Sequence, residues 1–460
     1  MTAKETSYKE TPYKETPYKE TLYHVTVLSN FAPGFDKYSH RYTKARIPES
    51  THPDRFFLLR RSEIAIGIQK AARLLEKLGV PGNRLIVLET ELDASLLHAN
   101  TANGRGRYVY SNHIALSKLY EVDHREDVIE LRPTTAEDVV AASLRLPNRE
   151  LLSFFHIRPR AISFLPVALA CQAKCPFCFS RASISSDQAP ADLDWEKISA
   201  WLARARARGA ERAVITGGGE PTLLRPASLQ LLVAACASRF DKVVLITNGH
   251  VLGVASEADQ VMRLSALYDA GLRVLAISRH HFDAEQNERL MRLHTPVEGL
   301  IRIWRENHRR WPDLRLRLVS VLQKGGVDDE AMVENYLSWA TNRGVEEICF
   351  KELYVSTSTE SIYYDRFANN WSRRHQVPLS LVTSLAKRQR FVLEGLLPWG
   401  APVFRGNWRG KPVRVAAYSE PSLFWERTRG IARSWNVMSD GRCHASLEDR
   451  ASEIKLDEVG

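Results

Sequence analysis

Between residues 161 and 353, short runs of Val, Ile and Leu alternate with longer stretches whose apolar positions recur every three to four residues. The runs at 161–170, 212–216, 242–247, 272–278, 314–322 and 346–353 have the character of buried strands. The stretches 194–208, 226–240, 258–270 and 329–343 have the period of amphipathic helices. Strands interleaved with helices in this way predict a parallel sheet with right-handed crossovers. In such folds chemistry sits at the carboxyl ends of the strands. Within strands, the two-residue period sorts side chains by face. Leu275 and Ile277 should face the helices and Ala276 and Ser278 the interior; Ile348 and Phe350 point outward, Cys349 and Lys351 inward.

The flanks read differently. Residues 4–23 repeat KETSY, KETPY, KETPY, KETLY. A polar, proline-bearing repeat buries too little to offset its ordering entropy, so 1–23 is predicted to be a disordered tail. Residues 24–160 form an N-terminal α/β unit by pattern: a helix at 62–79 ended by Gly79 and Pro81, a strand at 84–89, and helices at 91–97 and 136–144. Asp36, His40 and Arg41 read as solvated surface there. Residues 355–460, rich in aromatics, are expected to cap the end of the core unit at 161–354.

The chemistry concentrates where the first strand ends. Cys171, Cys175 and Cys178 fall within eight residues, with Pro176 and Phe177 between the last two. Thiolates are soft ligands suited to iron–sulfur clusters, zinc or cuprous copper. Three donors leave a metal centre one position short of closure. A zinc knuckle needs a fourth ligand nearby, and between 153 and 208 only His156 is available. An odd local count does not suit disulfides.

The CxxxCxxC spacing of Cys171, Cys175 and Cys178, with the aromatic Phe177 before the third cysteine, resembles the signature of the radical S-adenosylmethionine (radical SAM) superfamily. Gly217, Gly218, Gly219, Glu220 and Pro221, after the second strand, look like that family's glycine-rich loop. The resemblance covers roughly 161–353. It implies a partial (β/α)6 TIM-type barrel and a [4Fe–4S] cluster held by the three cysteines. The cluster's remaining iron would bind S-adenosylmethionine, whose reductive cleavage yields a radical that removes hydrogen from substrate. It further implies that Gly217–Gly219 admit the methionyl end closely, that Glu220 meets its ammonium, and that an external donor such as flavodoxin or ferredoxin supplies the electron.

Strand-end residues extend this set. Asn248 can pair with ribose or adenine edges, Ser278 points toward a ribose, and Arg279 is a candidate for the methionyl carboxylate. His280 or His281 could meet substrate, with His281 the candidate catalytic histidine. Lys351 could hold an acidic substrate group, and Cys443 could return a hydrogen atom to a substrate radical. Cys236, in an apolar helix, reads as packing. A single cysteine in the last segment cannot build a second cluster.

Composition adds bounds. The 460 residues are 44% apolar and 26% charged, ordinary for a soluble globular chain. The run of apolar residues needed for a membrane span is missing, as is the apolar core of a signal peptide, so the expectation is cytoplasmic. The net charge of +10 favours anionic partners in general. No nucleic-acid module accompanies it, and neither nucleic acid nor membrane is the expected partner. The expectation is therefore a radical SAM enzyme acting on a natural-product small molecule or peptide, by epimerisation, rearrangement, elimination or C–C bond formation. A tRNA-modifying enzyme and a non-enzymatic iron–sulfur or zinc redox sensor are the alternatives.

Overall fold

The computed structural model describes residues 19–36, 41–43, 56–78, 83–99, 107–109, 113–125, 128–136, 138–139, 142, 146, 152–167, 170–178, 193–355, 362, 365–421 and 423–457. The repeat copies at 4–18, and His40, lie outside these residues. The fourth copy does not form a tail. It opens strand β1 (Lys19–Val27), paired antiparallel with β2 (Leu85–Asp93) along its whole length, from Lys19 opposite Asp93 to Val27 opposite Leu85. Two earlier copies carry Pro12 and Pro17, which cannot donate to a sheet ladder. The fourth carries Leu22 at that place, and Leu22 is fully buried.

Strands β3 (Lys118–Arg125) and β4 (Val128–Thr134) complete an antiparallel sheet in the order β1-β2-β3-β4. Alternation along β1 and β2 gives the sheet two apolar faces. Tyr23, Val27, Leu85 and Val87 pack under helix α1 (Ile64–Leu78) through Ile64, Ile68 and Ala71. Leu22, Ile86 and Leu88 pack against Phe31, Tyr42 and Phe56. The helix expected at 91–97 is absent: β2 continues to Asp93 because β1 pairs with all of it, and only a 3-10 turn, Ala94–Leu96, follows.

The second unit is the expected α/β barrel. Strands β5 (Ala161–Phe164), β6 (Arg212–Ile215), β7 (Val243–Thr247), β8 (Leu272–Ser278), β9 (Arg315–Leu322) and β10 (Glu347–Glu352) pair parallel in sequence order. Helices α2 (Trp195–Ala207), α3 (Pro226–Ala237), α4 (Glu257–Asp269) and α7 (Glu330–Asn342) cover the outside. Asp194, Ser256 and Asp329 cap three of them through their side chains. The crossover from β8 to β9 carries two helices that the sequence pattern did not separate, α5 (Ala284–Met291) and α6 (Val297–Glu306).

The C-terminal segment sets Trp371 of α8 (Arg366–His375) against Phe177 and also widens the sheet. Beyond α9 (Ser380–Arg388) come β11 (Val392–Leu396), β12 (Pro402–Trp408) and β13 (Lys411–Tyr418), followed by α10 (Leu423–Arg429), β14 (Trp435–Val437), β15 (Cys443–His444) and β16 (Glu453–Ile454). Strand β13 joins β10 in parallel and β14 joins β5 in parallel. The sheet order is β11-β12-β13-β10-β9-β8-β7-β6-β5-β14-β15-β16. Parallel partners that meet only through tertiary pairing leave no local signal in the sequence.

The period-2 reading of the strands holds. Ile277, Leu318, Phe350 and Ala417 are fully buried in the helix-facing core. On the opposite faces Val244, Val274 and Ala276 are buried with Val214, Ile246 and Val319 packed against them, while Cys349 and Ala416 are partly covered. The bore inside the curled sheet is therefore partly filled by apolar side chains and partly reached by solvent.

Candidate active site at the carboxyl end of the barrel

The cysteine loop and the glycine loop are one structure. Gly219 N–H donates to Val167 O at 2.6 Å, and Glu220 N–H donates to Ala170 O at 2.8 Å. A Cβ at Gly219 would stand 2.1 Å from Ala170 O, and one at Gly217 would stand 2.1 Å from Gly219 O. Gly219 therefore lets the two backbones approach each other, and Gly217 lets its own loop turn tightly, whatever else they admit. Pro221 follows as the first residue of a 3-10 turn, Pro221–Leu223.

Glu220 locks this layer to the next strand. Its Oε1 accepts from Thr222 N (3.1 Å), Thr222 Oγ1 (2.6 Å) and Thr247 Oγ1 (2.6 Å), and its Oε2 accepts from Asn248 N at 2.8 Å. The residue is 3% exposed. Its carboxylate is thus spent largely on its own chain, joining the end of β6 to the end of β7. Asn248 reaches the other way: its Nδ2 donates to Gln172 Oε1 at 3.2 Å and lies 3.8 Å from Cys171 Sγ.

The other side of the cysteine loop rests on the end of α5. Lys174 N–H donates to Met291 O at 2.9 Å, and Cys175 Sγ is 3.8 Å from the same oxygen. Helix α5 also orders the turn after β8. The buried Asn287 accepts from His280 N at 2.8 Å through Oδ1 and donates to Thr295 Oγ1 at 3.1 Å. This brace was not legible in the sequence, where an Asn within a helical stretch has no distinguishing mark.

The thiols feel one another. Burial first, and then the charges of Cys178 and Cys171, raise the Cys175 thiol far above its ordinary range. Burial likewise raises Cys171, with Glu220 and Cys178 adding to it. A cationic centre bound at the loop would reverse that balance. Phe177 is buried, edge-on to His280 at 5.1 Å between ring centroids and tilted against Trp371 of α8 at 5.8 Å. The C-terminal segment thus touches the cysteine loop directly.

Other candidates are placed less centrally. Ser278 faces the bore, as its alternation required. Arg279 does not: it is 1% exposed, its Nη2 bonds Glu298 at 2.6 Å and Phe282 O at 3.1 Å, and its guanidinium lies over Trp339. One residue beyond Ser278, it falls on the helix side, so it is an outer brace and not a ligand for a methionyl carboxylate. His281 accepts from Asp283 N at 3.0 Å and stacks on Phe282, held within its own turn. His280 is the histidine that meets the cysteine loop. Its Nδ1 accepts from Val321 N at 3.1 Å, and burial pushes its pKa down to about 3, so the ring is neutral.

Lys351 faces inward, but its Nζ pairs with Glu420 Oε1 at 2.6 Å, and Glu420 Oε2 takes Arg433 Nη1 at 2.6 Å. A free cation for an acidic substrate is not what this lysine presents. Cys443 corrects a second expectation. It lies on β15, fully buried in the helix-facing core with Val437, Ala445 and Ile454, and burial raises its thiol well above the ordinary range. A thiol packed behind the sheet cannot reach a radical in the bore. Cys236 is core packing, as its helix predicted.

Residues 165–334 match the family model described as the Radical SAM superfamily. No curated protein matches the chain. Among solved structures, SuiB of Streptococcus suis bound to S-adenosylmethionine is similar at 14% identity and TM-score 0.40, over 69% of this chain and 67% of SuiB. The radical SAM enzyme coproporphyrinogen III oxidase (HemN) of Escherichia coli is similar at 13% identity and TM-score 0.35, over 51% of this chain and 54% of HemN. TYW1 with a lysine–pyruvate adduct is similar at 17% identity and TM-score 0.34, over 52% of this chain and 76% of TYW1.

The family uses a [4Fe–4S] cluster and S-adenosylmethionine, and the residues present fit them. Among the described residues no three His, Cys, Asp or Glu side chains are arranged to hold a single metal ion. What the loop offers is three soft donors, partly exposed and electrostatically coupled, at the open end of a bore. That donor set suits the thiolate-ligated irons of a cluster. The matched stretch, which holds the three cysteines and the glycine loop, is a radical SAM domain.

Proposed function

We propose that this enzyme removes a hydrogen atom from a natural-product small molecule or peptide held in the barrel bore, leading to epimerisation, rearrangement, elimination or C–C bond formation. The observation that carries the reading is the junction of the cysteine loop, the glycine loop and Asn248 at the rim of a solvent-reaching bore. When bound, the cluster and S-adenosylmethionine supply the reducing electron and the hydrogen-abstracting group; the protein supplies position and seclusion.

Cys171, Cys175 and Cys178 would hold the cluster. Gly219 keeps the second loop pressed on the first, Gly217 lets that loop fold closely on itself, and Glu220 fixes the end of β7 so that Asn248 stays beside Cys171. Phe177, His280 and Trp371 wall the outer side of the loop with neutral rings, which keeps water from the reacting carbon. Ser278 offers a hydroxyl inside the bore. The reaction also needs an electron from outside, for which flavodoxin or ferredoxin is the proposed donor, and a reducing cytoplasm is the proposed compartment. No helix among the described residues is long and apolar enough to cross a membrane.

The test uses the full chain reconstituted anaerobically with iron and sulfide. The expected result is the broad visible absorption of a cluster, with dithionite-dependent cleavage of S-adenosylmethionine that is lost in Cys175→Ala. A protein that binds iron but leaves S-adenosylmethionine intact would be a redox sensor, and the proposal would fall. Substrate class is tested by solvent-deuterium or mass change in candidate small molecules and peptides.

A further inference from the structure

The far end of the bore has a chemistry of its own. Arg212 begins β6, Lys242 stands just before β7, Arg315 and Arg317 begin β9, and Arg160 stands just before β5. Arg317, Glu347 and Arg414 are register partners across β9, β10 and β13. By alternation with the helix-facing Ala213, Val243, Leu316, Leu318, Ile348 and Val413, Arg212, Lys242, Arg315, Arg317, Glu347 and Arg414 face the interior; the Arg160 guanidinium, over the Trp399 ring, comes close enough to Arg212 to disfavour its charge. Six cations therefore gather at the amino end of the bore.

The acid available there is small. Arg315 and Arg317 share the single buried carboxylate of Glu347, at 3.1 and 2.6 Å. Arg414 is drawn outward to Glu394 at 2.5 Å, and Arg160 is 3.5 Å from the exposed Glu211. Arg160 Nη1 is buried with no hydrogen-bond partner. Among the described residues, the side chains of Arg212 and Lys242 make neither an ion pair nor a hydrogen bond. Burial and neighbouring arginines push Lys242 down to about 8 and Arg212 down to about 10. Enclosed charges of one sign are costly unless something pairs with them. A barrel floor needs only apolar filling for stability, so unpaired cations there call for a ligand.

We propose that the amino end of the bore is an anion-binding site, built by Arg160, Arg212, Lys242, Arg315 and Arg317, for a small molecule bearing a multivalent oxyanion group, phosphoryl or polycarboxylate. Arginine forks suit bidentate oxygens, and the surface-exposed Arg315 marks the entrance. The site is separate from the radical chemistry at the opposite end, and its readout is binding.

The test titrates the full chain with inorganic pyrophosphate and, in a parallel arm, citrate, by calorimetry and thermal melting, against sodium chloride at equal ionic strength. A saturable rise in Tm beyond that of chloride is expected with one or both probes, the arms separating phosphoryl from carboxylate recognition. Arg212→Gln/Lys242→Gln should bind about tenfold or more weakly, yet melt no lower than wild type without anion, because repulsion has been removed. Arg315→Gln, at the exposed rim, weakens binding by itself and serves should the double variant fail to fold. A rise matched by chloride, or one unchanged in every variant that folds, overturns the proposal.

Discussion

Replacing Glu220 with Gln tests whether that side chain is the clasp between β6 and β7. The carboxylate accepts four hydrogen bonds, two of them from backbone groups, Thr222 N on Oε1 and Asn248 N on Oε2. An amide has only one accepting atom. Whichever way it turns, its NH2 faces one of those two N–H donors, while the threonine hydroxyls can rotate to adapt. The variant therefore loses charge-assisted bonds, each worth about 1.5–3 kcal/mol, and leaves a buried donor unsatisfied. The net loss should be about 3 kcal/mol, which for a unit of this size corresponds to a fall in Tm of roughly 5–10 °C. The same change removes a negative charge that helps hold the Cys171 thiol high, so Cys171 should alkylate faster at fixed pH. Thermal melting of the cluster-free protein and peptide-mapped alkylation read the two effects. A Glu220→Gln protein that melts within 1 °C of wild type, with unchanged Cys171 reactivity, refutes the clasp.

Three further outcomes follow from the same geometry. Gly219→Ala should cost more than Glu220→Gln, because its Cβ would meet the immovable Ala170 carbonyl at 2.1 Å; bound iron per chain after reconstitution should drop sharply, whereas Gly209→Ala, facing open space, should lose about 1 kcal/mol and keep its iron. A small methanethiosulfonate should modify Cys349, which lines the bore, at least about tenfold faster than the core thiols Cys236 and Cys443, since reactivity follows access; equal rates would deny an open bore. Burial pushes Glu426 up to about 7 although Ser446 Oγ and Arg433 N donate to it. An acid raised in the fold contributes most below its unfolded pKa and loses that contribution as pH rises through the folded one, so wild type should lose up to about 3 kcal/mol between about pH 4.5 and 7. Glu426→Gln, which mimics the protonated form, should escape that loss, and parallel melting curves across this range would contradict the assignment.

Local chemistry carried much of the architecture into view. Strand and helix periods, the cysteine spacing and the glycine loop are properties of adjacent residues, and they specify a barrel with its site at the carboxyl ends. The inward faces of Ser278, Cys349 and Lys351 were legible for the same reason, because a pleated strand alternates whatever it pairs with. Arg279 marks where such reasoning ends: the alternation that turned Ser278 inward turned Arg279 outward, and Glu298, in a helix nineteen residues on, captured it.

Other features were decided by contacts between distant parts of the chain. Cys443 lies behind the sheet because β14 pairs with β5, a partnership across more than 270 residues that no local pattern encodes. The last KETLY copy is a strand because β2 offers it a complete ladder. Met291 braces the cysteine loop, and Asn287 the turn at His280, because the crossover after β8 folds back beneath them. The cations at the barrel floor became visible only when parallel pairing and curling of the sheet set the beginnings of distant strands side by side. Sequence set each segment's periodicity and its ligand-bearing loops, since those depend on near neighbours. The tertiary fold decided which charges meet and which thiols see solvent, since those depend on long-range pairing and on what remains uncovered.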